Sequence, residues 1–170
     1  MNTGQTLLTI GALILLGSVV ISANRSSIQH GVVLQQTEIG VYAVSLAMGR
    51  IEEATGRAFD EVTAPDDSGN TDAATSVSDF TGPLALGPES GEAYPDFDDI
   101  DDFNNYSTIV YIPGVDTMKI HSVVGYVNTS NPDVFVSTKT WHKKLIVFVT
   151  GSVTRDTVKI SSIFSYWWFR

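Results

Sequence analysis

Residues 1–24 read "MNTGQTLLTIGALILLGSVVISAN", and this stretch decides how the rest of the chain is organised. It contains no charged side chain, and Leu7–Ala23 is apolar apart from Thr9, Ser18 and Ser22. Those three hydroxyls can donate to carbonyls of the preceding helical turn, so they are compatible with an apolar helix. A helix of seventeen residues spans roughly 26 Å, close to the hydrocarbon thickness of a bilayer. The stretch therefore predicts a helix that lies in a membrane or is covered by several neighbours.

A cleavable secretory signal is the main alternative for this stretch. Such a signal has a positively charged start and a small-x-small cleavage site. Here the start "MNTG" holds no lysine or arginine, and cleavage candidates near Ser22 and Ala23 are weak. Because the helical pattern also continues past Asn24, we expect the segment to stay in the protein.

The following residues predict an amphipathic continuation of the same helix. Apolar and small side chains recur at spacings of three and four, which defines one face of a helix. The members of this face are Ile39, Tyr42, Ala43, Leu46, Ala47, Ile51, Ala54 and Ala58. Most polar side chains, Arg50 among them, are expected elsewhere on the helix. We predict one long helix from about Gln5 to about Ala58.

The charge distribution narrows the function classes. The net charge is −9, which disfavours binding to nucleic acid phosphates. There is no cysteine, which excludes disulfides, thiolate catalysis and zinc–thiolate sites. From Ala58 to Met118 there is no lysine or arginine, and this region holds 14 of the 19 acidic residues. This acidic region therefore separates two sections that carry the basic residues, the helical part before it and the C-terminal third after it.

Residues 60–107 are rich in Asp, Gly, Pro, Ser and Thr and predict a long loop. Five of its aspartates lie within seven residues, and Ca²⁺ prefers several carboxylate oxygens in a flexible loop. These candidate calcium ligands are Asp96, Asp98, Asp99, Asp101 and Asp102. Their spacing is not that of an EF-hand. The alternative is a solvated acidic loop that Phe97, Ile100 and Phe103 anchor to the core.

The last third of the chain predicts five β-strands, because it is rich in Val, Ile, Thr and aromatic residues between turn signals. They fall at 107–113, 118–128, 134–141, 143–151 and 157–169. Along the last strand, alternation predicts one buried face made of Val158, Ile160, Phe164, Tyr166 and Trp168. Short connections favour an antiparallel sheet, whose apolar face should pack on the amphipathic half of the helix. The predicted fold class is α+β, with the helix first and the sheet last.

The segment boundaries follow from these patterns. Residues 1–27 form the hydrophobic helix, 28–59 its amphipathic half, 60–107 the acidic loop region and 108–170 the antiparallel sheet.

This plan resembles the type IV pilin superfamily. The sequence "GQTLLTI" that begins at Gly4 is similar to the family's processing site, and Gly4, Thr6, Leu7 and Leu8 match it in kind. Two further stretches are similar to minor pilins of the mannose-sensitive haemagglutinin type. They are "AVSLAMGRIEEATGRAFDE" at 43–61 and "FDDIDDFNNYS" at 97–107. The resemblance covers the N-terminal third and this loop motif, whereas the sheet matches only in general pattern.

The resemblance implies a structural subunit of an extracellular bacterial filament. It implies processing between Gly4 and Gln5, a place in the inner membrane before assembly, and export by a pilus-type assembly machinery. The expected partner is the protein itself, in a helical homopolymer, and no cofactor other than Ca²⁺ is expected. The implied filament-core residues are Leu7, Leu8, Thr9, Ile10, Leu13, Ile14, Leu15, Leu16, Val19, Val20 and Ile21. At Thr9 the chain departs from the family, which usually has a glutamate there.

Two alternatives to a major filament subunit remain. One is a minor pilin or a secretion-system pseudopilin. The other is a single-pass membrane-anchored module whose extracytoplasmic domain binds a ligand or calcium. We do not expect an enzyme, because the sequence contains no recognisable catalytic motif.

Overall fold

The computed structural model describes residues 2–65, 70–153 and 155–168. Contacts within the chain divide it into two compact units, residues 1–39 and residues 40–170. The fold is α+β, as the sequence predicts: a long N-terminal helix packs against a C-terminal antiparallel sheet of five strands.

Helix α1 runs from Thr3 to Thr55, close to the predicted bounds. Within the first unit, no side chain from Thr3 to Glu38 is buried. This exposure follows from the sequence, because a helix that is apolar on all sides has no single face to turn towards a core. At the other end, Gly56 follows Thr55, and its amide donates to the carbonyl of Glu53 at 3.1 Å.

The second unit begins with the amphipathic part of α1. Four residues of the predicted face that lie in this unit are buried, namely Ala43, Ala47, Ile51 and Ala54. Three of them are alanines, so the helix backbone can approach its neighbours closely. Tyr42, also predicted on this face, is exposed at its edge.

The sheet is entirely antiparallel and has the order β1-β2-β4-β5, with β3 paired to the end of β2. Its strands are β1 Ser107–Ile112, β2 Asp116–Asn128, β3 Asn131–Phe135, β4 His142–Gly151 and β5 Thr157–Ser165. The two central strands, β2 and β4, carry the most buried positions. Buried side chains of β2 and β4, such as Ile120, Leu145 and Val147, form the sheet's share of the core.

Strand β3 begins three residues before the predicted 134–141 segment and ends six residues before that segment does. The chain turns at Asn128–Asn131, and Val127 then pairs with Phe135. The Phe135 ring lies so close to Gly125 that a Cβ at this position would come within 2.7 Å of it. A residue without a side chain is therefore required at Gly125 for β3 to pack there.

The predicted alternation along the last strand holds only to Tyr166. Strand β5 ends at Ser165, and a 3₁₀ turn follows at Tyr166–Trp168. Phe164 and Tyr166 are buried, whereas Trp168 is exposed. The prediction that Trp168 belongs to the buried face was wrong, because the turn ends the period of two.

The connecting region has no α-helix or β-strand among its described residues 60–65 and 70–106. It contains 3₁₀ turns at Glu61–Thr63, Val77–Asp79 and Asp101–Phe103. Phe59 and Phe80 hold it to the core through ring contacts with each other and with Tyr166, at centroid distances of 5.0–5.7 Å.

Candidate functional site

The predicted filament-core residues form an exposed apolar surface on α1. The large apolar side chains among them are 55–75% exposed. They are Leu7, Leu8, Ile10, Leu13, Ile14, Leu15, Leu16, Val19, Val20 and Ile21. A surface of this size on one helix marks a place that lipid or protein covers.

Gly4 and Gln5, the predicted processing site, lie in the first turns of α1. The Gln5 amide donates to the carbonyl of Asn2 at 2.8 Å. Thr9 lies one turn further on, and its hydroxyl lies 3.0 Å from the carbonyl of Gln5 and 2.9 Å from that of Thr6. Because its hydrogen bond is satisfied within the helix, Thr9 can lie in an apolar surrounding at little cost.

Helix α1 is long and apolar enough to cross a membrane, by length and composition. A signal sequence near an N-terminus meets the same criteria. The candidate span is not buried by other parts of the chain.

The five aspartates of the acidic loop have different surroundings. Asp96 is exposed and Asp98 is half-buried, whereas Asp99, Asp101 and Asp102 are buried. The anchoring prediction is confirmed, because Phe97, Ile100 and Phe103 are all buried. The accompanying expectation of a solvated acidic loop was wrong for Asp99, Asp101 and Asp102, because these three side chains are buried.

Lys143 of β4 lies among two of the buried carboxylates and forms with them what we call the ion centre: Lys143, Asp60 and Asp101. The Lys143 ammonium donates to Asp60 Oδ2 at 2.7 Å, to Asp101 Oδ1, and to the carbonyl of Phe59 at 2.7 Å. All three side chains have at most 1% of their surface exposed. The three N–H donors of the ammonium thus meet three oxygen acceptors, as a buried ammonium requires.

Asp60 also joins the ion centre to the connecting region. Its carboxylate accepts hydrogen bonds from the Thr81 amide at 3.0 Å and the Thr81 hydroxyl at 3.2 Å. The Tyr126 hydroxyl donates to the carbonyl of Thr81 at 2.7 Å and lies 3.3 Å from Asp60 Oδ2. Burial, together with the nearby carboxylates, raises the pKa of Tyr126, so this phenol remains a neutral donor.

Protonation neutralises part of the negative charge of the buried aspartates that surround Lys143. Burial, with the neighbouring Asp101 carboxylate, raises the pKa of Asp99 to about 10. Burial also raises the pKa of Asp101 to about 7, although Lys143 acts in the opposite direction. Asp99 is therefore protonated at neutral pH, while Asp101 pairs with Lys143.

The variant Asp99→Asn is expected to flatten the pH dependence of stability. Between pH 4 and pH 10 the folded state holds a proton on Asp99 that the unfolded state releases, so stability falls as pH rises through this range. The slope approaches about 1.4 kcal/mol per pH unit for one whole proton. Asparagine cannot ionise, yet its Oδ1 can still accept from the amides of Asp101 and Asp102. Thermal unfolding at pH 5 to 8 in EDTA should show a smaller decline for the variant. Parallel curves for the two proteins would contradict the assignment.

A second carboxylate group lies beside the ion centre and is called here the carboxylate triad: Glu89, Glu92 and Asp102. One carboxylate oxygen from each lies within 4.8 Å of the others. The Asp98 amide donates to Glu92 Oε1 at 3.1 Å and to Asp102 Oδ2 at 3.0 Å, which draws these two side chains together. Burial raises the pKa of Asp102 to about 6. The triad offers only oxygen ligands, which suit a hard cation.

Arg50 is the charged residue of α1 that the sequence placed wrongly. It is buried, and its guanidinium lies 4.7 Å from the ring centroid of Tyr94 and 5.0 Å from that of Tyr106. It also forms an ion pair with Glu53 at 2.6 Å. These contacts attach the acidic region to the helix through a cation–π arrangement.

Sequence reasoning missed four residues of these groups: Asp60, Lys143, Glu89 and Glu92. One signal was available for Lys143, which lies two residues before the apolar run Leu145–Val149 of a buried strand. No local sequence pattern could have identified the partners of Lys143, because Asp101 and Asp60 are 42 and 83 residues away along the chain.

Comparison with family models, with curated proteins and with solved structures finds no significant match to this chain. By its architecture this is an α+β chain with one long apolar N-terminal helix and an antiparallel sheet, which is compatible with a pilin-like fold.

Proposed function

We propose that this chain is a structural subunit of an extracellular type IV pilus-like filament and polymerises through the apolar part of α1. The subunit stands in the inner membrane before assembly, and a pilus-type machinery extracts it. The observation that carries the proposal is the exposed apolar surface of Leu7–Ile21. Copies of α1 packed side by side would remove this surface from water or lipid, and a contact that does not close on itself propagates as a helical filament.

The length of the exposed apolar surface favours a filament over a simple membrane anchor. A helix of 53 residues is roughly 80 Å long, whereas the hydrocarbon core is about 30 Å thick. Large apolar side chains remain exposed beyond one membrane span, at Ile28, Val32, Val33 and Leu34. Lipid tails cannot cover both ends of so long a surface, but neighbouring copies of the same helix can.

Thr9 makes the helix compatible with a packed apolar core. A glutamate in such a core needs a partner charge, because an unpaired buried charge is very costly. The Thr9 hydroxyl is already bonded within its own helix. Assembly of this subunit therefore does not depend on a charge pair at that position.

Electron microscopy of material sheared from the cell surface, with mass spectrometry of the subunit's N-terminus, tests the proposal. We expect filaments built of this chain, with a subunit that starts at Met1 or at Gln5. Filaments in which the chain is a rare component would indicate a minor pilin or pseudopilin instead. A chain found only in detergent extracts of the membrane would indicate the anchored module. A soluble monomer that starts near Asn24 would overturn the proposal.

A further inference from the structure

The carboxylate triad lies at a place where the described charges do not balance. Glu61 and Asp98 are close enough to interact electrostatically with triad members, so five carboxylates share this region. Among the described residues, the cation that acts on Asp98 is Arg57, whose guanidinium is turned towards the carbonyl of Pro95 and towards Glu53. Lys143 is fully engaged in the ion centre.

An independent observation comes from the hydrogen bonds of Asp102. Its side chain is fully buried, and Oδ2 accepts from the amides of Asp98 and Asp99, both at 3.0 Å. Oδ1 is also buried but has no hydrogen-bond partner among the described residues. Buried carboxylate oxygens are normally paired or bound to a metal. Oδ1 of Asp98 is likewise buried and has no hydrogen-bond partner in the part of the chain that the structure describes.

We propose that Glu89, Glu92 and Asp102 hold a calcium ion at the edge of the ion centre. All candidate ligand atoms are carboxylate oxygens, which calcium prefers. With bonds of about 2.3–2.6 Å, calcium accepts ligand oxygens up to about 5 Å apart, and the triad's oxygens lie within 4.8 Å. Magnesium, with bonds of about 2.0–2.1 Å, needs a tighter octahedron of oxygens.

This set differs from the one that the sequence suggested. Asp101 belongs to the ion centre, Asp99 accepts from the amides of Asp101 and Asp102, and Asp96 is exposed. Glu89 and Glu92 replace them, because the chain around residues 87–92 folds back to the 3₁₀ turn at Asp101–Phe103.

A calcium ion here would fasten residues 89–92 to the 3₁₀ turn at Asp101–Phe103. The chain has no cysteine, so a disulfide cannot do this. A ligand that binds only the folded state stabilises it in proportion to its concentration. The inference concerns the stability of one chain and does not depend on whether the chain forms filaments.

Calorimetric titration and thermal unfolding of the full-length protein in detergent, after removal of metals with EDTA, test the inference. With CaCl₂ we expect one site with a Kd on the order of 0.1–1 mM, as in extracellular modules, and a rise in Tm at 10 mM. Glu92→Gln should weaken binding by about tenfold or more. In EDTA its Tm should change little. The amide oxygen can still accept from the Asp98 amide, and the loss of one negative charge offsets the loss of the exposed hydrogen bond from the Glu89 amide.

Two further variants complete the test. Glu89→Gln removes an exposed ligand and should weaken binding even if Glu92→Gln does not fold. Asp96→Asn is the matched control, because it removes a charge from the same loop outside the triad and should leave the response unchanged. No response of the parent to 10 mM calcium would overturn the inference. So would a normal response of both glutamine variants, a loss in Asp96→Asn, or tighter binding of MgCl₂.

Discussion

Replacing Lys143 with methionine is expected to lower the free energy of unfolding by about 3–5 kcal/mol, because the change leaves Asp60 and Asp101 without their cation. Both carboxylates are buried, so water cannot take the place of the ammonium. Methionine fills a similar volume, and the loss therefore reports on charge rather than on a cavity. Against a typical total of 5–15 kcal/mol this is a large fraction. Thermal unfolding followed by near-ultraviolet circular dichroism should show a fall in Tm on the order of 10 °C.

The neighbouring lysine supplies the matched control. Lys144 is also buried, but its partner Asp133 is 88% exposed and can be hydrated once the ion pair is lost. Lys144→Met should therefore cost much less than Lys143→Met. Adding Asp101→Asn to Lys143→Met should cost less than the sum of the two single changes, because the two groups interact directly. Equal losses for the two lysine variants would show that the ion centre contributes no more than a surface pair.

Replacing Leu15 with arginine is expected to abolish filaments in the sheared surface fraction. Leu15 lies at the middle of the apolar stretch Leu7–Ala23, and its side chain is exposed on the surface of α1. An arginine at the centre of a membrane-spanning helix costs about 2.5–3.5 kcal/mol. In a filament core the same cost recurs in every subunit, with no carboxylate in residues 2–37 to pair with it. Electron microscopy and immunoblots of sheared and membrane fractions measure the outcome.

Two controls separate charge from disturbance of the helix. Leu15→Met retains an apolar side chain and should assemble normally. Gln36→Arg introduces the same charge on α1 beyond the apolar stretch, where the parent already carries a polar exposed side chain. It should reduce filaments much less than Leu15→Arg. Normal filaments from the Leu15→Arg variant would exclude the apolar stretch as the assembly surface.

The helix and most of the strands could be predicted from the sequence, because hydrophobic periodicity and turn residues are local properties of the chain. The long helix was predicted from its apolar stretch and the three-and-four spacing up to Ala58, and it ends at Thr55. Strands β1, β2, β4 and β5 begin within two residues of their predicted starts. Strand β3 was displaced because its place depends on the Phe135 ring packing over Gly125, a contact that periodicity does not contain. The end of β5 was missed for a similar reason, since the 3₁₀ turn at Tyr166–Trp168 turns Trp168 outward.

The sequence by itself determined the apolar helix, the acidic connecting region and the anchoring of that region by Phe97, Ile100 and Phe103. Hydrophobic periodicity and composition are properties of neighbouring residues, and burial of apolar surface follows from them. Only the tertiary structure decided which carboxylates are buried, which of them meet Lys143 and which converge as the carboxylate triad. The members of the ion centre are far apart along the chain. In both groups the balance of desolvation, ion pairing and protonation depends on distances that only folding sets.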